Sequence, residues 1–280
     1  MTSITTLAVV GHPIGHSLSP VLHQAAYQEL GLDWKYLAVD VQPGELSNFI
    51  DSTDDTLRGL SVTMPHKTAA LEIADDIDLI SEQTQSVNTL LFDHSSGQCT
   101  THGFNTDVSG IVNACHDVGV VSARHVAVIG SGATASSAVV AAAELGAEHV
   151  SVIARNPQKA FHLEQVGQRA GVNVSVTPLS QIEDVSPVDL AISTLPGDIE
   201  QSLHLLSRTP HAALLDVAYS PWPSRRGTEW ASSGGEVISG LRMLAHQALI
   251  QVRIFVHGNP FEKLPNEESV KRAMFESVSL

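Results

Sequence analysis

The sequence predicts an α/β protein of two lobes, each built on a mostly parallel sheet. Short apolar runs alternate with helical patterns from one end of the chain to the other. A glycine-rich turn, "VAVIGSGATA", opens a second α/β unit in mid-chain. At 280 residues, 43% hydrophobic and 16% charged, the chain has length and apolar material for two cores.

The elements follow in order. Residues 7–10 read as a strand, 20–30 as a helix and 36–41 as a strand. A helix over 45–50 leads to a short strand at 59–63, and another helix begins after Pro65. A helical stretch at 78–85 precedes two strands, 87–92 and 99–104, joined by the hairpin-type turn "DHSSGQ". Strands separated by helices imply βαβ units, with the hairpin adding an antiparallel edge. A helix at 108–118 then enters "RHVAVIGSGATASSAVVAAAELGAEHVSVIARN", an α/β unit with its own start. Strands at 188–193, 213–217 and 236–238 follow, then a helix from 241 to about 256 and a last one from Glu267 to the end. No internal repeat stands out, and a ligand cleft between the lobes is the simplest expectation.

Thirty acidic residues against 15 basic ones give a net charge of −15, which argues against nucleic acid and anionic membranes. An anionic ligand must therefore meet few, local positive groups. No apolar run reaches the ~18 residues of a membrane span. The start, "MTSITTLAVVGHP", lacks the basic region and cleavage site of a signal peptide. Cys99 and Cys115 make neither a disulfide framework nor a CxxC site. The spacing around His12, His16 and His23 does not resemble a metal site. A cytoplasmic protein without nucleic-acid or membrane partners is expected, and a homodimer is compatible with the sequence.

In "VAVIGSGATA", Gly130 allows the tight turn, Gly132 lets backbone amides approach a pyrophosphate, and Ala135 is the small third position. The strand–turn–helix–strand context supports this reading over a ligand-free glycine turn. The next strand, "HVSVIARN", ends in Arg155, followed by Asn156 and then Lys159. A site for NAD would place a carboxylate there, on the ribose 2′-hydroxyl. A guanidinium pairs instead with a 2′-phosphate, so NADP is the expected cofactor. The alternative is a pair of solvated surface cations.

The first lobe carries short polar groups where strands end. "GHPIGHSLSP" holds Ser17 and Ser19, "GLSVTMPHK" holds Ser61, Thr63 and Lys67, "SVNTLL" holds Asn88, and "GFNTDVSG" holds Asn105, Thr106 and Asp107. Such a set suits a small polyhydroxylated substrate.

Together with "ISGLRMLAHQA", these motifs resemble, in order and over essentially the whole length, the shikimate dehydrogenase family. "VTMP", "GSGAT" and "YSPWP" are most similar to its actinobacterial branch. The resemblance implies an NADP-dependent oxidoreductase of the shikimate pathway, interconverting 3-dehydroshikimate and shikimate. Residues 1–107 with 241–280 would form the substrate-binding and catalytic domain, and 108–240 a Rossmann-type NADP-binding domain. Ser17 and Ser19 would hold the substrate carboxylate. Ser61, Thr63, Asn88, Asp107 and Gln247 would contact the substrate, and Tyr219 would line the site near the nicotinamide. Lys67 and Asp107 would be the catalytic pair. Gly130, Ser131, Gly132, Ala133, Arg155, Asn156, Lys159 and Thr194 would hold NADP, with Gly240 approaching the nicotinamide through its backbone.

Two departures stand out. Ser61 occupies the place of an asparagine in many relatives, so its substrate contact is expected to be weaker or bridged by water. "ARN" replaces "NRT" after the cofactor strand, which retains Arg155 but changes its neighbours. For Lys67 the alternative role is a first-turn surface lysine, and for Asp107 a helix N-cap. Lys67 is the expected general acid/base, with Asp107 orienting it and sharing the substrate hydroxyl, and the proton passes through lysine alone or through the pair. His66 reads as packing and Trp222 as a loop anchor. The rival functions are an NAD-dependent quinate/shikimate dehydrogenase and a catalytically silent NADP-binding regulatory protein.

Overall fold

The computed structural model describes residues 4–95, 97–197, 201–203, 206 and 212–280. The chain divides into two units, one running to Thr106 and taking up Gln247–Leu280, the other Asp107–His246.

The first unit begins with β1 (Thr6–Gly11), whose continuous apolar run suits a central parallel strand. It pairs in parallel with β2 (Lys35–Asp40) on one side and β3 (Leu57–Val62) on the other. The crossovers are α1 (Ser19–Glu29) and α2 (Leu46–Asp51). After β3 come α3 (Lys67–Ile73), the short β4 (Asp76–Ile77), α4 (Leu79–Thr84), β5 (Thr89–Asp93) and β6 (Thr100–Phe104). The sheet order is β2-β1-β3-β5-β6-β4, with β5 antiparallel to both its neighbours.

The expected antiparallel edge is therefore inside the sheet, and β4 forms the edge beyond β6. Two residues carry no periodicity, so β4 is invisible in the sequence. It is held from outside: Asp75 N donates to Thr101 O at 2.8 Å, and Thr101 N donates to the Asp75 carboxylate at 2.8 Å. The turn "DHSSGQ" includes Ser96, which lies outside the described residues. Leu60 and Val62 of β3 face an apolar cluster with Ala8, Val10, Leu46 and Ala70. Alternation along the strand turns Ser61 to the opposite face.

The second unit runs α5 (Asp107–His116), β7 (His125–Ile129), α6 (Ala133–Glu144), β8 (His149–Ala154), α7 (His162–Ala170), β9 (Asn173–Pro178) and β10 (Leu190–Ser193). Then come β11 (Ala213–Asp216), α8 (Arg225–Ser232), β12 (Glu236–Ser239) and the start of α9 (Gly240–His257). All pairings in its sheet are parallel, in the order β12-β11-β10-β7-β8-β9. This is the doubly wound order, and its direction reverses between β7 and β10. The remainder of α9 belongs to the first unit, where α10 (Glu267–Ser277) packs on α1.

Three elements here are additions to the sequence reading: α7, β9 and α8. Helix α7 buries only Leu163, Val166 and Gly167, and β9 is a half-exposed edge strand. Polar, glycine-containing α8 is set by its cap, in which the Ser224 hydroxyl accepts from Gly227 N at 3.0 Å. The loop anchor is also different from the expected one. Trp222 is exposed, whereas Trp230 is fully buried and its indole N–H donates to Ala212 O at 3.1 Å. Among the described residues no helix is long and apolar enough to cross a membrane.

Candidate active site

In the second unit the site starts where β7 ends. Gly130 has φ 131°, and a Cβ there would lie 2.1 Å from Thr194 Oγ1, so only glycine fits. Thr194, just after β10, donates to Ile129 O at 2.9 Å through both its amide and its hydroxyl. The two strand ends are thus joined at the point where strand order reverses. Gly132 caps α6, and a Cβ there would meet no protein atom within 4 Å, leaving the amides of Ser131, Gly132 and Ala133 approachable. The helix N-terminus favours an anion.

A cavity of about 570 Å³ spreads from this turn over the end of β8, lined by Gly130, Ser131, Gly132, Arg155, Asn156, Lys159 and Thr194 among others. Arg155 and Lys159 are exposed at its rim, and no described lining residue is a carboxylate. The Asn156 carboxamide oxygen has a partner within the chain. It accepts from Gln158 N at 3.1 Å and caps the turn Pro157–Lys159. Open backbone amides at one end and two cations at the other fit a dinucleotide bearing an extra phosphate.

Around β11 and β12 the backbone is packed tightly. A Cβ on Gly240 would fall 2.0 Å from Val217 O, so the start of α9 lies directly against the β11 loop. Tyr219, half-buried in that loop, has its hydroxyl pKa raised by burial. Beneath lies a buried ion pair. The Arg226 guanidinium meets Asp216 at 3.0 and 3.2 Å, while Ser224 Oγ donates to the same carboxylate at 2.5 Å. Arg226 also donates to Leu195 O at 3.4 Å and Pro196 O at 3.3 Å in the β10 loop.

In the first unit, Gly11 lets β1 approach Thr63, whose Cγ2 a Cβ would meet at 2.5 Å. Ser17 Oγ accepts from Ser19 N at 3.3 Å, and Ser19 is buried as the first residue of α1. Lys67 is buried at the start of α3 and its carbonyl accepts from Val87 N at 3.2 Å. His66 packs as expected, with its ring bonded to Val41 O at 2.8 Å. Asn88 is gripped from several sides. Its Oδ1 accepts from Thr106 N at 2.9 Å, while its Nδ2 donates to Thr106 Oγ1 at 2.9 Å and to Gln247 Oε1 at 3.4 Å. Asn105 bonds elsewhere, to Thr84 Oγ1 and Ser86 O. Asp107 is buried at the start of α5, in the second unit.

The structure does not bring Ser61 to this group as an available hydroxyl. It accepts from Tyr36 OH at 2.6 Å and donates to Gln251 Oε1 at 2.8 Å, and it is buried. Gln251, Tyr36 and His23 were not among the sequence candidates. Gln251 sits one turn beyond Gln247 on α9, and two glutamines four apart on a helix with apolar neighbours are the signal that could have found it.

His23 completes the buried cluster. It stacks on Tyr36 with ring centroids 4.0 Å apart, and its nitrogens face Tyr27 OH at 3.1 Å and Gln251 Oε1 at 3.3 Å. Burial lowers its pKa from 6.5 to about 3. Between those values the unfolded chain binds a proton that the folded chain does not, so His23 disfavours the fold progressively as pH falls from 6.5 toward 3. The stability advantage of wild type over His23→Gln should narrow by about 1.4 kcal/mol per pH unit in that window. Urea unfolding of both proteins at several pH values measures it, and parallel curves would refute the assignment.

Residues 9–90 match the family model for the substrate-binding domain of shikimate dehydrogenase. Over 261 residues the chain is 33% identical to the NADP(+)-type shikimate dehydrogenase of Methanothermobacter thermautotrophicus, covering 90% of this chain and 91% of that one. This chain belongs to the shikimate dehydrogenase family. Among solved structures, Mycobacterium tuberculosis shikimate dehydrogenase superposes with a TM-score of 0.83 at 36% identity, covering 99% of this chain and 100% of that one. Thermus thermophilus shikimate 5-dehydrogenase, solved in complex with NADP(H) and shikimate, gives 0.80 at 28% identity, covering 98% and 100%. Membership accounts for the pairing of a dinucleotide turn with a unit rich in buried hydroxyls and amides.

Proposed function

We propose that this protein reduces 3-dehydroshikimate to shikimate, reversibly and with NADPH, in the cytoplasmic route to chorismate and the aromatic amino acids. The observation that carries the cofactor choice is the end of β8. Arg155 and Lys159 stand exposed at the rim of the cavity that begins at Gly130. A carboxylate at that strand end would repel a 2′-phosphate; a guanidinium binds it.

The reduced nicotinamide supplies a hydride to the substrate ketone. Charge then builds on the ketone oxygen, and Lys67 stabilises it and delivers a proton there. Asp107 orients Lys67 and shares the substrate hydroxyl. Ser17 and Ser19 hold the substrate carboxylate, with Thr63, Asn88 and Gln247 on the ring hydroxyls. Tyr219 lines the site. The amides of Ser131, Gly132 and Ala133 bind the pyrophosphate, with Thr194 beside the Gly130 turn and Gly240 bringing backbone to the nicotinamide. Asn156 acts indirectly, by capping the turn that carries Lys159.

The test is consumption of NADPH or NADH with 3-dehydroshikimate and, separately, with 3-dehydroquinate. Rapid turnover of 3-dehydroshikimate with NADPH is expected. A preference for NADH and dehydroquinate would favour the quinate enzyme, and no turnover with any pair a silent binding protein. Arg155→Ala should raise KM for NADPH about 10- to 100-fold, the worth of a charge-assisted pair, and leave KM for NADH within about twofold. Equal losses for both cofactors would remove Arg155 from the 2′-phosphate.

A further inference from the structure

A directed chain of hydrogen bonds runs behind Asn88, and its directions can be assigned one by one. Gln251 Nε2 lies 3.2 Å from Asn88 O, which can only accept, so this edge of the amide is the donor edge. Gln251 Oε1 then accepts, which fixes the Ser61 proton toward Gln251 and makes Tyr36 the donor to Ser61. His23 carries its proton on Nε2 for the same reason and accepts from Tyr27 on Nδ1. On the other side, Gln251 Nε2 also donates to Thr89 Oγ1 at 2.9 Å. Thr89 in turn donates to Asn88 Oδ1 at 2.9 Å. That oxygen also accepts from Thr106 N, which orients the Asn88 amide with its NH2 edge toward Gln247.

We infer that Gln251 is a positioning residue that holds both the backbone and the side-chain amide of Asn88, and that Ser61 acts on substrate only by anchoring Gln251. The inference rests on the proposed substrate role of Asn88 and deepens it. Every group in the chain is buried, so removing one partner leaves donors and acceptors that water does not reach. The single Ser61 proton is spent on Gln251, and strand pairing holds Ser61 opposite Thr89.

The test is a double-mutant cycle on Ser61 and Gln251. Ser61→Ala and Gln251→Met should each raise KM for shikimate about 5- to 10-fold, a range set by the worth of one or two buried hydrogen bonds. KM for NADP should stay within about twofold, and the double variant should be no worse than the worse single one. Losses that multiply would mean that Ser61 meets substrate on its own, and unchanged KM in Gln251→Met would overturn the positioning role. Ser61→Thr, which keeps the hydroxyl, should restore KM; failure to do so counts against the anchor. Should Gln251→Met fold poorly, Thr89→Val cuts the same chain one bond nearer Asn88 with little change of shape, and the same rise in KM is expected. A wild-type protein that does not turn over shikimate sinks the functional proposal, whereas multiplying losses in an active enzyme sink only this one.

Discussion

Lys67→Ala should lower kcat for shikimate oxidation by about 10³-fold, within the span that general acid–base catalysis contributes. Affinity for NADPH should stay within about twofold of wild type, because the described residues that line the cavity proposed for the cofactor all lie in the second unit and Lys67 lies in the first. The reason is the transition state. A hydride arriving at a ketone makes an oxyanion that an ammonium stabilises and alanine does not. Lys67 suits this role because α3 starts with it and buries it. Steady-state rates together with NADPH titration by fluorescence make the measurement. Near-normal turnover would take lysine out of the mechanism, and a parallel loss of NADPH affinity would make its role structural.

The second large effect concerns stability. Arg226→Ala should destabilise the protein by about 3–5 kcal/mol, because it strands the Asp216 carboxylate in a site fully closed to solvent. Its neighbour provides the contrast. Arg225 is exposed and pairs with Glu229 one helical turn on, so Arg225→Ala should cost no more than about 0.5 kcal/mol. Denaturant unfolding of both variants decides it, and equal losses would contradict the burial argument. The loss in Arg226→Ala should also loosen Leu195 and Pro196, whose carbonyls the guanidinium holds at the edge of the cavity that begins at Gly130.

The two arginines show where sequence reading stops. In "SRRG" they are adjacent and chemically identical. Helix α8 turns one toward Asp216, ten residues back, and the other toward water. Ser61 makes the same point in the other unit. Read locally it is a short hydroxyl at a strand end, suited to substrate. Its partners Tyr36 and Gln251 stand 25 and 190 residues away in sequence, and they take its proton and one of its lone pairs. Edge strand β4 was likewise absent from the periodicity, because its two residues carry none and it is held by Thr101, outside its own segment.

What the sequence determined alone is the chemistry that is contiguous in the chain. Gly130 and Gly132 after a buried strand, Arg155 at the end of the next strand and Lys67 opening a helix are each defined by neighbours within a few residues. The same holds for the doubly wound alternation. Backbone sterics and hydrophobic period act over that range, so these features are legible in order. Tertiary structure decided which polar groups remain available to a ligand. Burial and hydrogen-bond partnership are set by segments far apart in sequence, and a hydroxyl, amide or guanidinium carries no local mark of which partner will claim it.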